Sequence, residues 1–269
     1  MTGVLALLAT STGAVLGANA IGVALLMVLT WLISLPLRNA SIVDIVWGAG
    51  FVLVAWITFV IADGVDGRQL LLTLLTTVWG SRLAGYLLWR NAGKGEDFRY
   101  RSMRRRQGPG FPIRSLVTVF ALQGVLMWVV SLPVQLGSVA STPSVGVLAI
   151  VGASVWLLGF GFESVGDFQL ARFKADPGNE GRVMDEGLWR YTRHPNYFGD
   201  FCVWWGLFLI ALEADGGWRS VIGPIVMSVF LIRISGVAML ERGLRKRRPG
   251  YAEYMATTSA FFPRPPRSG

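Results

Sequence analysis

The sequence predicts an all-α, polytopic membrane protein, a bundle of seven transmembrane helices. Three observations carry this expectation. Of 269 residues, 53% are hydrophobic and only 15% charged, with a mean hydropathy of +0.51. Soluble domains carry about 25% charged residues, so water is not the main solvent of this chain. Apolar runs of about 20 residues, enough to cross a hydrocarbon core of roughly 30 Å, recur at 8–36, 41–62, 69–91, 113–136, 144–170, 196–213 and 218–241. The 25 Lys and Arg, against 16 acids, gather in 92–112, in 171–195 and after Glu241, while the connections at 63–68, 137–143 and 214–217 are poor in them. Basic loops stay in the cytoplasm, so this alternation puts the N-terminus outside and the C-terminus inside.

Taken in order, each run adds a feature. No basic residue precedes Arg38, so the first run lacks the n-region of a signal peptide and reads as a span itself. The second opens Asn39-Ala-Ser-Ile-Val-Asp44-Ile-Val-Trp47-Gly-Ala-Gly50. Asp44 is either a helix-start acid favoured by the dipole or a carboxylate facing the bundle interior, where charge implies function. Gly48 and Gly50 permit close helix packing. The third run ends at Arg90 and Asn91, and Lys94 follows in GKGEDFRYRSMRRRQGPG, residues 93–110. This reads as a flexible basic loop, either a topology signal or a phosphate clamp. Trp residues near the span ends read as interfacial anchors.

The fifth run ends in Glu163, Asp167 and Lys174, which share one helical face. The two acids suit ribose hydroxyls or an amide, or else simply cap a solvated helix end. The sixth follows Glu186-Gly-Leu-Trp-Arg190-Tyr191-Thr-Arg193-His194-Pro195-Asn196-Tyr197-Phe-Gly199-Asp200. Pro195 fits a first helical turn, whose free N–H groups and positive dipole end favour an anion. A bound, water-soluble, anionic cofactor is the expectation; a headgroup-anchored loop is the alternative. The seventh closes on Glu241, followed by the basic run Arg245–Arg248 and by Tyr251 and Tyr254. The basic run suits anionic membrane lipids.

Several classes fall away. His194 and Cys202 are the only residues of their types, which excludes an intramolecular disulfide and argues against a His/Cys metal centre. No soluble basic face is present to bind nucleic acid. Gly159-Phe-Gly161 with Gly166 echoes a dinucleotide fingerprint, but no strand precedes it. One integral-membrane domain over 1–269 is expected, with a frayed Pro/Arg-rich tail at 263–269.

The spacing of Glu186–Asp200, the preceding Asp167-Phe-Gln-Leu-Ala-Arg-Phe-Lys174 and the later Glu241, Tyr251, Tyr254 pattern resembles the steroid 5-alpha-reductase-like membrane proteins. The chain is most similar to their bacterial branch, long catalogued as a domain of unknown function. The resemblance covers nearly the whole chain and is strongest from Glu163 to Tyr254. It implies a seven-helix bundle in a bacterial plasma membrane, with a cytoplasmic NADPH pocket. It also implies reduction of a carbon–carbon double bond conjugated to a carbonyl in a lipid or steroid-like substrate.

By this resemblance the cofactor contacts fall on Asp167, Lys174, Tyr191, Asn196 and Asp200, with Arg90, Asn91 and Lys94 from the loop after the third span. Glu163, Arg193, His194, Tyr197, Glu241 and Tyr254 join them on chemistry and motif position. The departures lie at the substrate end. The steroid enzymes carry a Gln-Glu pair early in the second span and a Tyr in the third. Asp44 falls near the acid's place, but the tyrosine's place falls on Trp79, which cannot protonate an enolate. Tyr86 is the substitute, and Trp47, Trp79 and Gln123 line the expected substrate pocket. A second family, the isoprenylcysteine and phospholipid methyltransferases, shares the Arg-His-Pro-x-Tyr-x-Gly motif and a late Glu, and uses S-adenosylmethionine. A non-enzymatic lipid-binding role is the third reading.

Overall fold

The computed structural model describes residues 12–62, 67–139, 145–234 and 236–266. Among them the structure is helical throughout, without strands. The chain divides into two compact units, Met1–Ala149 with Ile210–Gly223 and Ile150–Leu209 with Pro224–Gly269.

Unit one contains α1 (Thr12–Leu37), α2 (Ile42–Ile61) and α3 (Gly67–Asn91). A helical run over Phe98–Gly137 follows: α4 (Phe98–Gln107), a tight turn at Gly108–Gly110, α5 (Phe111–Ser115), a π-helical segment (Leu116–Ala121), α6 (Leu122–Val130) and α7 (Leu132–Gly137). Helices α2 and α3 meet backbone to backbone. A Cβ on Gly48 would lie 2.4 Å from the Gly80 carbonyl oxygen, and one on Gly80 would lie 2.5 Å from that of Gly48. Only glycine permits this crossing. Phe51 then fills the space beside it, edge-on to Trp47 and Trp79 at centroid distances of 5.3 and 5.5 Å.

Unit two is built from most of α8 (Val147–Ala175), α9 (Pro195–Ala211) and α10 (Ile222–Val229), a second π-helical segment (Phe230–Ile234), α11 (Val237–Arg247) and α12 (Tyr251–Thr257). Here too glycine sets the packing. A Cβ on Gly199 would meet the Glu163 amide nitrogen at 2.4 Å and the Gly159 carbonyl at 2.5 Å. Helices α8 and α9 therefore touch at the level of Glu163, which puts that acid in the interior.

Among the described residues, six helical stretches are long and apolar enough to cross a bilayer: α1, α2, α3, the Phe98–Gly137 run, α8 and Gly217–Ile234. They mark the chain as an integral membrane protein. The stretch expected at 196–213 forms a helix of 17 residues, shorter than the roughly 20 that a bilayer core takes. In the one expected at 218–241 the helical run is interrupted at the non-helical Gly236, and Glu241 lies on the separate helix α11 that starts after it. The segment 93–110, expected as a flexible loop, contains α4, whose start is capped by the Asp97 carboxylate accepting from the Arg99 amide at 2.9 Å. The N-terminal part of the first expected run, and residues 267–269 of the tail, lie outside the described residues.

Candidate functional site

Unit one gathers polar groups around Asp44, in the first turn of α2. One carboxylate oxygen accepts from Arg99 Nη2 at 2.6 Å and the other from the Tyr100 hydroxyl at 2.6 Å. Gln123 Nε2 donates to the Tyr100 oxygen at 3.1 Å. Tyr100 is buried, and the Asp44 side chain is 18% exposed. Helix α4 delivers these partners because it is tied to the start of α2. The Asp97 amide donates to Ser41 Oγ, and Glu96 accepts from the Ala40 amide at 2.9 Å and from two guanidinium nitrogens of Arg104 at 2.7 and 3.0 Å. Burial pushes the Glu96 carboxyl up, but the Arg104 and Ala40 hydrogen bonds outweigh it and hold the group below its ordinary value. Arg104 also lies over the Phe111 ring at 4.4 Å. A π-helical segment, a distortion frequent at functional positions, precedes Gln123 by two residues.

The other residues expected in this unit are placed as follows. Trp79 is fully buried against Phe51 and is a core residue. Trp47 packs edge-on to Phe51 as well. Tyr86 lies between the guanidinium groups of Arg82 and Arg90, 5.3 and 5.6 Å from its ring centre. Asn91 accepts from Arg90 Nε at 3.3 Å, and Lys94 is exposed.

Unit two gathers the residues of the Arg193-His194-Pro195 segment. Pro195 does open α9. Arg193 is buried, and its partners are protein groups: Glu241 Oε1 at 2.7 Å and the carbonyl oxygens of Met255 and Thr258. His194 Nε2 lies 3.2 Å from the same Glu241 oxygen, and the imidazole stacks on Tyr197 at 5.5 Å. Burial raises the Glu241 carboxyl, but hydrogen bonds from His194 and Arg193, with the Arg193 charge, bring it below its ordinary value. Burial, with the neighbouring Glu241 charge, pushes the Tyr251 phenol up to about 12, and burial raises Tyr254 as well. The Tyr254 hydroxyl donates to the Trp189 carbonyl. Asn196 Nδ2 donates to Asp167 Oδ1 at 3.2 Å. Glu163 and Asp167 are buried, Lys174 and Tyr191 are exposed, and Asp200 is half-buried.

The C-terminal residues strap this segment down. The Arg193 amide donates to Ser259, the Thr192 hydroxyl to Phe261 and the Arg264 amide to Tyr191. Beside the strap is a cleft of about 510 Å³, lined in part by Arg182, Asp185, Arg190, Glu253 and Tyr254. Of these only Tyr254 was expected at a site. Among the described residues, no cluster of three or more His, Cys, Asp or Glu is arranged to hold a metal ion.

Residues 30–258 match the family model described as "Protein of unknown function (DUF1295)". An uncharacterised protein of Schizosaccharomyces pombe is 23% identical over 264 residues, covering 87% of this chain and 75% of that protein. No solved structure matches the chain.

Proposed function

The chain belongs to the DUF1295 family, and on that premise we propose that it is an NADPH-dependent membrane reductase of the steroid 5-alpha-reductase type. Its substrate is a lipid or steroid-like molecule with a carbon–carbon double bond conjugated to a carbonyl. The observation that carries this reading is the Tyr100 hydroxyl held on Asp44 at 2.6 Å. It supplies the phenol that Trp79 lacks. A buried hydroxyl parked on a carboxylate is held in place and can be redirected to an oxygen on which negative charge grows.

The chemistry of the donor set in unit two fits the cofactor. Glu163 and Asp167, with the Asn196 amide, suit ribose hydroxyls and a carboxamide, and the buried Ser164 hydroxyl has no hydrogen-bond partner among the described residues. Arg182 and Arg190 at the cleft suit phosphate. NADPH, when bound, supplies the hydride. The chain's own residues do the rest. Tyr100 turns its O–H from Asp44 to the substrate carbonyl, Gln123 steadies the phenol oxygen, and Arg99 offsets the carboxylate charge. We place the N-terminus outside and the C-terminus in the cytoplasm of a bacterial plasma membrane, following the basic loops, which requires the 17-residue α9 to be a seventh, short crossing beside the six longer ones.

A methyltransferase reading draws on one observation. Arg193 is committed to Glu241 and two carbonyls, so it does not stand ready for a phosphate, and S-adenosylmethionine needs none. Thermal-shift measurements on the purified protein separate the two. NADPH is expected to raise the melting temperature more than NADH or S-adenosylmethionine does. Stabilisation by S-adenosylmethionine with none by NADPH reverses the assignment.

A further inference from the structure

Unit one contains a second polar layer that the proposed reaction does not use. Asn19 on α1, Thr58 on α2, Thr73 and Thr76 on α3 and Gln135 on α7 are all between 0% and 1% exposed. Asp44 and Thr58 are 14 positions apart on α2, about 21 Å of helix, so the Thr58 end of this layer is remote from the Asp44 centre. Antiparallel packing brings α3 to the same level. Gly48 meets Gly80 at one mark and Gln69 Nε2 donates to the Phe59 carbonyl at 3.1 Å at the other. Thr73 and Thr76 fall between these marks. Helix α7 joins them where Gly137 closes on Leu72.

The amide nitrogens of the layer are used. Asn19 Nδ2 donates to Thr58 Oγ1 at 2.8 Å, and Gln135 Nε2 to Ser131 Oγ and the Trp128 carbonyl. Four groups are left over. Asn19 Oδ1, Gln135 Oε1 and the hydroxyls of Thr73 and Thr76 have no hydrogen-bond partner among the described residues. Thr77, one position away, shows the usual alternative, its hydroxyl donating to the Thr73 carbonyl at 2.7 Å. Buried polar groups in native proteins are paired with protein or ordered water, and within a membrane bundle the demand is stricter. None of the four groups carries formal charge, which selects a neutral ligand. Two amide acceptors and two hydroxyls match a molecule that both donates and accepts through oxygen.

We propose that this layer of unit one is a binding site for neutral hydroxyl-type molecules, either ordered water or the hydroxyl end of a membrane lipid. Thr73→Val and Thr76→Val keep side-chain volume and remove only the hydroxyl. In lipid nanodiscs each is expected to lower the melting temperature by roughly 2–4 °C. The pair should lose less than the sum because they share ligands. Thr77→Val is the control and should change it little. Valine variants that melt at or above the wild-type temperature overturn the proposal, since deleting an unpaired hydroxyl is neutral or stabilising. Repeating the series after delipidation distinguishes the sources: the loss persists for water and disappears for a lipid hydroxyl. Radiolytic labelling of the wild-type protein in 18O-enriched water reads the site without substitution, with label expected at Leu72 if water occupies it. Should a valine variant fail to fold, the labelling decides alone: label at Leu72 in nanodiscs supports water, label that appears only after delipidation supports a lipid hydroxyl, and no label in either state overturns the proposal.

Discussion

Asp44 holds two donors of different kinds, a guanidinium and a phenol, at 2.6 Å each. Tyr100→Phe removes only the hydroxyl and keeps the ring buried. Turnover of an enone-like substrate is expected to fall by about 10²-fold or more, the usual scale for proton-donating groups, with NADPH binding retained. Steady-state rates beside NADPH thermal shifts check this; full turnover in the phenylalanine variant would remove Tyr100 from the reaction. Asp44 was readable from the sequence as an isolated acid opening an apolar run. Tyr100 was not, because its segment has the composition of a topology signal and its burial depends on a distant helix. Arg193 shows the opposite difficulty. Its position next to His194 is plain in the sequence, but two of its partners are backbone carbonyls, which carry no residue-type signal at all.

At the scale of elements, α11 is fastened to the His194 segment through Glu241, and α12 through the Met255 carbonyl and the Tyr254 hydroxyl. The folded-state value of this carboxyl is lowered, so its stabilisation is fully present above the unfolded value of about 4.3. It is lost as pH falls through the lower folded value. Melting temperatures followed from pH 7 downwards are expected to hold until about pH 4.3 and then decline. Glu96 titrates in the same direction and window, so the wild type must be compared with Glu241→Gln. That variant should melt lower at neutral pH and lose part of the acid decline; an unchanged profile would show that the fastening does not depend on the carboxylate. The start of α9 at Pro195 followed from the sequence because proline fixes its own backbone angle. The fresh start of α11 after the non-helical Gly236 did not, because Ile-Ser-Gly-Val-Ala reads as a continuous apolar run. Asp97 before a run of good helix formers was the available signal for α4.

For the molecule as a whole, composition alone identified a membrane protein, while the number of crossings needed the helix lengths themselves. The orientation is open to direct measurement. Reporters fused at Arg104, at Arg182 and after Pro266 are expected to give cytoplasmic signals, and reporters at the 63–68 and 214–217 connections the opposite. Arg104 and Arg182 reporting from opposite sides would end the proposed topology.

The strap across the His194 segment also sets an order of events during synthesis. Residues 189–193 are held by Tyr254, Ser259, Phe261 and Arg264, all encoded at least 60 codons later. A nascent chain can insert its apolar helices as they emerge, but it cannot fix this segment until Arg264 has left the ribosome. The polar segment of unit two is therefore finished only after the helices described above have been made, and a ribosome that stalls or terminates before Arg264 leaves an inserted bundle without it.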